Sequence, residues 1–288
     1  MMKDPEFKLA GETAIVTGGV RGIGYAMVDA LMSNGASVAI FDINEEAGNE
    51  AAAKLTEEHK ADGTRAVFIK TNIADMDDTQ ASVDKAIAEL GKVEILVNNA
   101  GIDHEHVDTW NLPEETIDAV FNIDLKGCYH TIKAVVPYWI KNKIEGRICQ
   151  TASVNYTMAV GGLGAYSAAK AGVSNLTKTV AGEAGRYGIR CNCIAPGLTI
   201  TDMTKRFAEG PAGKAFYDRT PLYEFSDRAR MGSPYDQAKA VCFLCSNYAE
   251  WITGITICVD GGNHVRGLHN YTDEDIKAAT GEYPRIEW

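Results

Sequence analysis

Short apolar runs alternate with longer segments of helical periodicity along almost the whole chain. Continuous apolar runs of this kind are typical of strands buried on both faces of a sheet. A strand that is regularly followed by a helix favours one parallel sheet with helices on both sides. The predicted strands are 13–17, 37–41, 65–70, 94–97, 147–151, 190–194 and 256–259, and the predicted helices are 23–33, 45–60, 77–90, 114–141, 165–186 and 235–246. We therefore expect an α/β fold.

The charge balance excludes several classes of function. The 288 residues carry 28 Lys and Arg against 39 Asp and Glu, which gives a formal net charge of −11. A negative field repels phosphate backbones, so nucleic-acid binding is not expected. No run approaches the roughly 18 apolar residues of a membrane span, and residues 1–10 lack the apolar stretch of a signal peptide. We expect a cytoplasmic protein without a membrane or nucleic-acid partner.

Two segments interrupt the alternation. Residues 198–232 form a long insertion that contains several aromatic residues, and residues 263–288 form a polar tail after the last predicted strand. Long insertions in compact domains are often lids over a binding site, and a variable surface loop is the alternative. We predict a single domain over residues 1–262, with a substrate lid at 198–232 and a separate C-terminal tail.

Seven cysteines and one histidine-rich loop are the candidates for metal or redox chemistry. Cys242 and Cys245 form a CxxC pair inside an apolar helical segment, with no second pair to complete a zinc site. His104 and His106 flank Glu105 in a polar stretch that a solvated loop explains well. We therefore predict buried, reduced thiols and no metal, although His104 could reach the edge of a cleft.

The first predicted strand runs through a glycine-rich turn into a helix. Gly18, Gly22 and Gly24 give the spacing GxxxGxG, with Arg21 inside the turn. Glycines permit a tight turn and a close approach of the backbone to a pyrophosphate. The following helix start, which includes Ile23, offers free N–H groups and the positive end of the helix dipole. The pattern predicts a dinucleotide site.

A carboxylate at the end of the second predicted strand bears on the choice of dinucleotide. Asp42 follows Gly24 by eighteen residues. At this position a carboxylate accepts hydrogen bonds from the ribose hydroxyls and repels a 2′-phosphate. We predict a preference for NAD over NADP, against which Arg21 could act by approaching a 2′-phosphate.

Three polar side chains could converge on one cleft. Tyr166 and Lys170 stand four residues apart and share one helix face, and Ser153 follows a predicted strand about 13 residues earlier. Acid–base catalysis near neutral pH requires the pKa of tyrosine to fall by about 2–3 units from about 10. An ammonium ~4 Å away contributes about 4 kcal/mol at an effective dielectric of ~20. Lys170 is thus predicted to activate Tyr166, and Ser153 to polarise a substrate oxygen.

These motifs together resemble the short-chain dehydrogenase/reductase family. The matching segments are TGGVRGIG at 17–24, NNAG at 98–101, Ser153, YSAAK at 166–170, PGLTITDM at 196–203 and TGITICVDGG at 253–262. The resemblance covers about residues 9–262. It implies a doubly wound, Rossmann-type fold with a seven-stranded parallel sheet, hydride transfer with a nicotinamide cofactor, and a homodimer or homotetramer.

The resemblance also assigns further residues to cofactor binding. Asn72 and Ile73 would flank the adenine, Asn99 would contact the ribose, and Thr199 and Thr201 would hold the carboxamide and pyrophosphate end. Ile23 and Ile43 would lie beside the cofactor, as would Tyr166 and Lys170. The C-terminal tail of family members often reaches a neighbouring subunit, so we expect residues 263–288 to pack across an interface and help close an active site.

One position departs from the family pattern. Asp124 stands where the family usually has an asparagine that holds a proton-relaying water, and Asn122 lies two residues earlier. A carboxylate at this position can still accept a hydrogen bond from the water. It would also stabilise the charge of Lys170 and weaken the effect of that lysine on Tyr166. Asp124 is therefore included among the catalytic residues.

The leading hypothesis is NAD-dependent interconversion of a secondary alcohol and a ketone. The substrate candidates are a polyol or sugar derivative, a hydroxysteroid or bile acid, and a smaller cyclic alcohol. A 3-oxoacyl-thioester reductase is the closest alternative, although such reductases usually favour NADPH and Asp42 argues against that cofactor. A non-catalytic NAD(H)-sensing protein is the alternative from a different class, and it would have no need of Ser153, Tyr166 and Lys170.

Overall fold

The structure, a computed structural model, describes residues 7–201, 204–205, 213, 220–223 and 232–265. Its central element is one parallel sheet. Within these residues the sheet has seven strands in the order β3-β2-β1-β4-β5-β6-β7, and all neighbours are parallel. The strands are β1 (Thr13–Thr17), β2 (Ser37–Asp42), β3 (Ala66–Lys70), β4 (Ile95–Asn98), β5 (Arg147–Thr151), β6 (Arg190–Pro196) and β7 (Thr256–Val259). The predicted α/β fold, a single Rossmann-type domain, is confirmed.

The helices follow the strands as the periodicity predicted. Within the described residues they are α1 (Gly22–Ser33), α2 (Glu45–Glu58), α3 (Met76–Leu90), α4 (Glu114–Val120), α5 (Gly127–Asn142), α6 (Gly164–Ala184) and α7 (Pro234–Cys245). Side-chain caps begin several of them: Asn44 accepts the N–H of Ala47 at α2, and Asp75 accepts two first-turn N–H groups at α3. None of the described helices combines the length and apolar character needed to cross a bilayer.

The core lies on both faces of the sheet. Successive residues of β1 point to opposite faces, so Val16 packs with α1, α2 and α7, whereas Ile15 packs with α3, α5 and α6. Leu31 and Leu55 lie on the first face, and Trp139 lies fully buried on the second. This burial on both faces explains why the strands read as uninterrupted apolar runs.

The strand order reverses between β1 and β4. From β1 the chain moves outward through β2 to β3, and then returns to place β4 on the other side of β1. The connections after β1 and β4 therefore leave the sheet in opposite directions and open a crevice at the carboxyl ends of these strands. Doubly wound folds bind their ligands in this crevice.

The predicted helix over 114–141 is interrupted. A π-helical turn, Phe121–Lys126, separates α4 from α5. The turn inserts backbone that does not follow the i to i−4 pattern, and hydrophobic periodicity gives no warning of it. Asp124 lies in this turn and is completely buried. The sequence correctly predicted a helical region, but the prediction that it is one continuous helix is wrong.

Candidate active site

The hydroxyl of Thr17 closes the base of the crevice between β1 and β4. It accepts hydrogen bonds from the backbone N–H groups of Asn99 and Ala100, each at 3.0 Å. The side chain of Asn99 donates to the carbonyls of Thr17 and Gly18, both at 3.2 Å. Asn98 faces the core instead, where its amide donates to Gln150 at 2.9 Å. Of the two asparagines in this motif, only Asn99 borders the crevice.

The glycine turn after β1 depends on the absence of side chains. A Cβ on Gly24 would lie 2.0 Å from the carbonyl oxygen of Gly18, and a Cβ on Gly18 would lie 2.8 Å from Cα of Ala100. Gly18 and Gly22 also have positive φ angles of 67° and 56°. The turn therefore brings backbone against backbone in a way that only glycine allows.

The start of α1 leaves its N–H groups available to a ligand. Arg21 is the N-cap residue, is exposed, and makes no side-chain capping hydrogen bond. No acidic residue lies in the first turn of this fully described helix. Uncapped N–H groups and the positive dipole end suit an anion. The residues present, including the close-packed glycines, fit a bound pyrophosphate, with Ile23 partly buried beside them.

The end of β2 places a carboxylate beside the same crevice. Asp42 is partly exposed, and its Oδ1 accepts the N–H of Asn44 at 3.0 Å, which fixes the side chain at the strand end. Ile43 follows with 68% of its surface exposed. An exposed isoleucine next to a fixed carboxylate offers an apolar surface for a base and acceptors for ribose hydroxyls.

The end of β3 contributes one exposed and one buried residue. Asn72 is exposed, and its Oδ1 accepts the N–H of Ala74 at 3.1 Å. Ile73 is buried, and its carbonyl bonds His130 Nδ1 at 2.8 Å, which ties this loop to α5. The pair thus offers a polar group and an apolar wall near the end of β2.

The segment after β6 approaches the glycine turn from the other side. A Cβ on Gly22 would lie 3.3 Å from Cγ2 of Thr201, so these two residues face each other closely. Thr199 is buried, and its hydroxyl donates to the Gly197 carbonyl at 3.1 Å and accepts from Gln237 at 3.2 Å. Most of the predicted lid at 198–232, and the tail beyond residue 265, lie outside the described residues.

The carboxyl end of β5 and the first turns of α6 bring the three predicted catalytic side chains together. The Ser153 side chain lies close enough to the Tyr166 phenol to lower the pKa of that phenol. Lys170 Nζ lies 5.5 Å from the centroid of the Tyr166 ring and donates to the carbonyl of Thr151 at 3.2 Å. Ser153 and Lys170 are buried, whereas Tyr166 is partly exposed. Tyr166 is therefore the most accessible of the three side chains.

Asp124 lies directly beside Lys170. Its Oδ2 is 3.1 Å from Lys170 Nζ, and its Oδ1 accepts the backbone N–H of Ile102 at 2.8 Å. Burial lowers the pKa of Lys170, but the adjacent Asp124 carboxylate and Tyr166 raise it further, so the net shift is upward. Lys170 is held as an ammonium ion.

The groups around Tyr166 shift its pKa in opposite directions. Burial raises the pKa of Tyr166. The Lys170 charge and the Ser153 side chain lower that pKa, and Asp124 and Asp103 raise it again. The net shift is upward. Among these residues, the charge of Lys170 is not sufficient to bring the pKa of Tyr166 below its ordinary value. That charge is shared with Asp124, and the surroundings disfavour tyrosinate.

Three residues that support the site were not among the predicted site residues, although Thr17 and Gly101 lie inside the motifs at 17–24 and 98–101. Thr17 ties β1 to the Asn99 turn, Thr151 accepts from Lys170, and Gly101 leaves room for the ion pair. A Cβ on Gly101 would lie 2.9 Å from Asp124 Oδ2 and 3.1 Å from Lys170 Nζ. The available signal was a threonine at the end of β1 and another at the end of β5, the two strands that flank β4.

The cysteines lie away from any exposed reactive surface. Six of the seven are buried, as predicted, and Cys258 is partly buried. Burial raises the pKa of Cys128 to about 12 and that of Cys193 to about 11, which disfavours the reactive thiolate. Across the described part of the chain, no three His, Cys, Asp or Glu side chains are placed to hold a metal ion. His104 is only partly exposed and reaches the start of α6.

The fold and these residues agree with the family comparison. The family model described as short chain dehydrogenase matches residues 12–212, which is more than half of the chain. The chain therefore belongs to the short-chain dehydrogenase/reductase family and is an oxidoreductase of that family.

Curated relatives and solved structures cover most of the chain. A 3-oxoacyl-[acyl-carrier-protein] reductase from Chlamydia muridarum is 36% identical over 88% of this chain and 98% of its own length. The 3beta-hydroxysteroid dehydrogenase 2 of Eggerthella lenta is 34% identical over 88% of this chain and 95% of its own length. An Agrobacterium tumefaciens structure with bound NADP, provisionally assigned as a 2-deoxy-D-gluconate 3-dehydrogenase, is 30% identical with a TM-score of 0.79 and covers 91% and 99%.

Proposed function

We propose that the protein interconverts a secondary alcohol and a ketone with NAD(H) as the cofactor. The observation that carries the proposal is the convergence of Ser153, Tyr166 and Lys170 at the carboxyl end of the sheet, beside the glycine turn. A bound nicotinamide ring accepts a hydride in the oxidation direction and donates one in the reduction direction. A protein that only senses NAD(H) has no use for these side chains.

The proposed acid–base chemistry belongs to Tyr166 and its neighbours. In oxidation, the tyrosinate oxygen takes the proton from the substrate hydroxyl while Ser153 donates a hydrogen bond to the same oxygen. In reduction, the phenol returns that proton to the ketone oxygen. Lys170 stabilises the tyrosinate. Asp124 keeps Lys170 charged, but its own negative charge disfavours the tyrosinate. Ser153, Tyr166, Lys170 and Asp124 are thus the proposed catalytic residues.

The carboxylate of Asp42 is the basis for the proposed preference for NAD over NADP. Its side chain is fixed by the N–H of Asn44 and would face a 2′-phosphate with like charge. The bound NADP of the Agrobacterium structure favours the opposite choice, as does the exposed Arg21 guanidinium. We propose Gly18, Arg21, Gly22, Ile23, Gly24, Asp42, Ile43, Asn72, Ile73, Asn99, Tyr166, Lys170, Thr199 and Thr201 as the cofactor-binding residues.

The substrate class is proposed as a polyol or sugar derivative, or a hydroxysteroid. The names of the Eggerthella and Agrobacterium relatives support these two classes. Reduction of a 3-oxoacyl thioester is the second candidate, because the Chlamydia relative carries that name at 36% identity. We further propose that the substrate is a small molecule and that the protein is cytoplasmic. The same proposal includes a homodimer or homotetramer whose active site residues 263–288 help to close.

The proposed function is tested by following NADH formation with purified protein and NAD⁺. One pool contains polyols and sugar alcohols, a second contains hydroxysteroids, and a separate assay follows NADH or NADPH oxidation with an acetoacetyl thioester. Tyr166→Phe is the matched control, because it removes one hydroxyl and keeps the ring. Activity in one pool that is lost in this variant supports the proposal. Activity with the thioester and NADPH alone would favour the second candidate.

A further inference from the structure

The helix that carries Tyr166 and Lys170 begins without a capping side chain of its own. Leu163 is the N-cap residue of α6 and has no side-chain acceptor, and no acidic residue lies in the first turn of this fully described helix. The first N–H groups of a helix have no partner within it and are normally satisfied by a capping side chain. A side-chain acceptor for these N–H groups would have to come from another part of the chain.

The imidazole of His104 supplies that acceptor from the loop after β4. His104 Nε2 accepts the backbone N–H of Tyr166 at 3.5 Å. Tyr166 is the third residue of α6, which is a position whose N–H an N-cap side chain usually satisfies. His104 thus replaces the missing cap at the residue that bears the proposed acid–base group.

The partners of His104 assign its tautomer. Nδ1 lies 2.8 Å from the carbonyl oxygen of Glu105, which can only accept a hydrogen bond. Nδ1 therefore carries the proton, and Nε2 has the lone pair that the Tyr166 N–H requires. The capping imidazole is neutral in this arrangement.

The loop that presents His104 is fixed against the segment before α6. The N–H of Val107 donates to the carbonyl of Gly162 at 3.1 Å, and the N–H of His104 donates to Asp103 Oδ1 at 2.8 Å. A Cβ on Gly164 would lie 2.6 Å from Thr109 Oγ1, so the two segments are closely packed. His104 is therefore held in place from both sides.

We propose that His104 is a positioning residue, whose neutral imidazole caps α6 and holds Tyr166 against Ser153 and Lys170. The inference rests on the proposed role of Tyr166. A neutral acceptor suits this place because Asp103 and Asp124 already disfavour tyrosinate. A carboxylate cap would add a third negative charge to the groups around Tyr166, of which only Lys170 is cationic among the described neighbours that influence it.

The test compares His104→Ala, His104→Gln and His104→Glu. Loss of the cap in the alanine variant should lower kcat about fivefold, the rate equivalent of one typical cap, with little change in the KM for the nucleotide. Glutamine keeps a neutral acceptor and should bring kcat to within about threefold of the parent protein. Glutamate keeps an acceptor and adds charge, so its pH–rate profile for oxidation should move to higher pH.

His59→Ala is the matched control for a general loss of stability. His59 is buried after the end of α2 and bonds Asp29 of α1 and Asp62, so its removal should destabilise the fold and leave kcat unchanged. A kcat in His104→Ala equal to that of the parent protein would overturn the inference, as would a glutamine variant no better than alanine.

Hydrogen exchange separates this inference from the proposed function. The Tyr166 amide should exchange faster in His104→Ala than in the parent protein and should be protected again in His104→Gln. This measurement requires no turnover. Unchanged exchange in the alanine variant would contradict the cap even if Tyr166→Phe abolishes activity. Faster exchange would support the cap even if no alcohol is oxidised.

Discussion

Lys170 Nζ lies 3.1 Å from Asp124 Oδ2, and both side chains are buried. A buried ammonium that already has a carboxylate beside it is stable as a charge but has less effect on a third group. Together with the burial of Tyr166, the ion pair therefore influences how readily that side chain loses its proton. The pair lies on two different elements, α6 and the π-helical turn before α5.

Asp124→Asn should move the pH–rate profile for alcohol oxidation to lower pH. Oxidation requires tyrosinate, and Asp124 raises the pKa of Tyr166. With a neutral amide at position 124, the charge of Lys170 acts on Tyr166 more fully, and we expect a shift of about one pH unit. Initial rates between pH 6 and pH 10 measure it. Superimposable profiles for the two proteins would refute the role given to Asp124.

Gly101→Ala should lower activity by about tenfold or more, because the added methyl group would lie within 3.1 Å of both members of the ion pair. Gly182→Ala is the matched control in α6. Its Cβ would meet nothing within 4 Å, and its φ angle is not positive, so alanine should stabilise the helix by about 0.5–1 kcal/mol. The two variants are compared by kcat and by urea unfolding. Equal activities would show that the space above the pair is not needed.

Asp42→Ala should reduce the ratio of kcat/KM for NAD to that for NADP by about ten- to hundredfold, because one repulsive charge near a 2′-phosphate is removed. Glu45→Ala is the control. Glu45 is another exposed acid of this region and pairs with Lys70 at 3.1 Å. Its removal should leave the ratio nearly constant. A ratio that changes equally in both variants would indicate a general charge effect rather than recognition by Asp42.

The contribution of His59 to stability should decline as the pH rises. Burial lowers the pKa of His59, but hydrogen bonds to Asp62 and Asp29 raise it more, so the net shift is upward. A raised folded pKa stabilises the protein fully below the unfolded value of about 6.5, and this stabilisation is lost as the pH passes through the folded pKa. The difference in unfolding free energy between the parent protein and His59→Gln should therefore be larger at pH 5.5 than at pH 9. A difference independent of pH would contradict this explanation.

Much of the fold could be predicted because its strands are buried on both faces. Burial of this kind requires uninterrupted apolar residues, and the seven runs in the sequence correspond to the seven strands of the described sheet. The break between α4 and α5 could not be predicted, since the apolar spacing continues through Phe121–Lys126. Backbone hydrogen bonds, not side-chain pattern, determine that break.

The residues expected at the catalytic site could be named from their spacing, but the net effect of their charges on the pKa of Tyr166 could not be predicted. A spacing of four positions from Tyr166 to Lys170 places both side chains on one helix face. The distance from Lys170 to Asp124 depends on how the π-helical turn meets α6, which no local spacing encodes. The cap from His104 is a similar case, because it joins residues 62 positions apart.

The π-helical turn at Phe121–Lys126 also bears on how this enzyme could evolve. Removing one residue there would restore regular helical hydrogen bonding and would turn Asp124 about 100° around the helix axis, away from Lys170. Selection for heat resistance alone would favour such a deletion, whereas selection for the catalytic role proposed for Asp124 would oppose it. The irregular turn is therefore a point at which stability and activity compete.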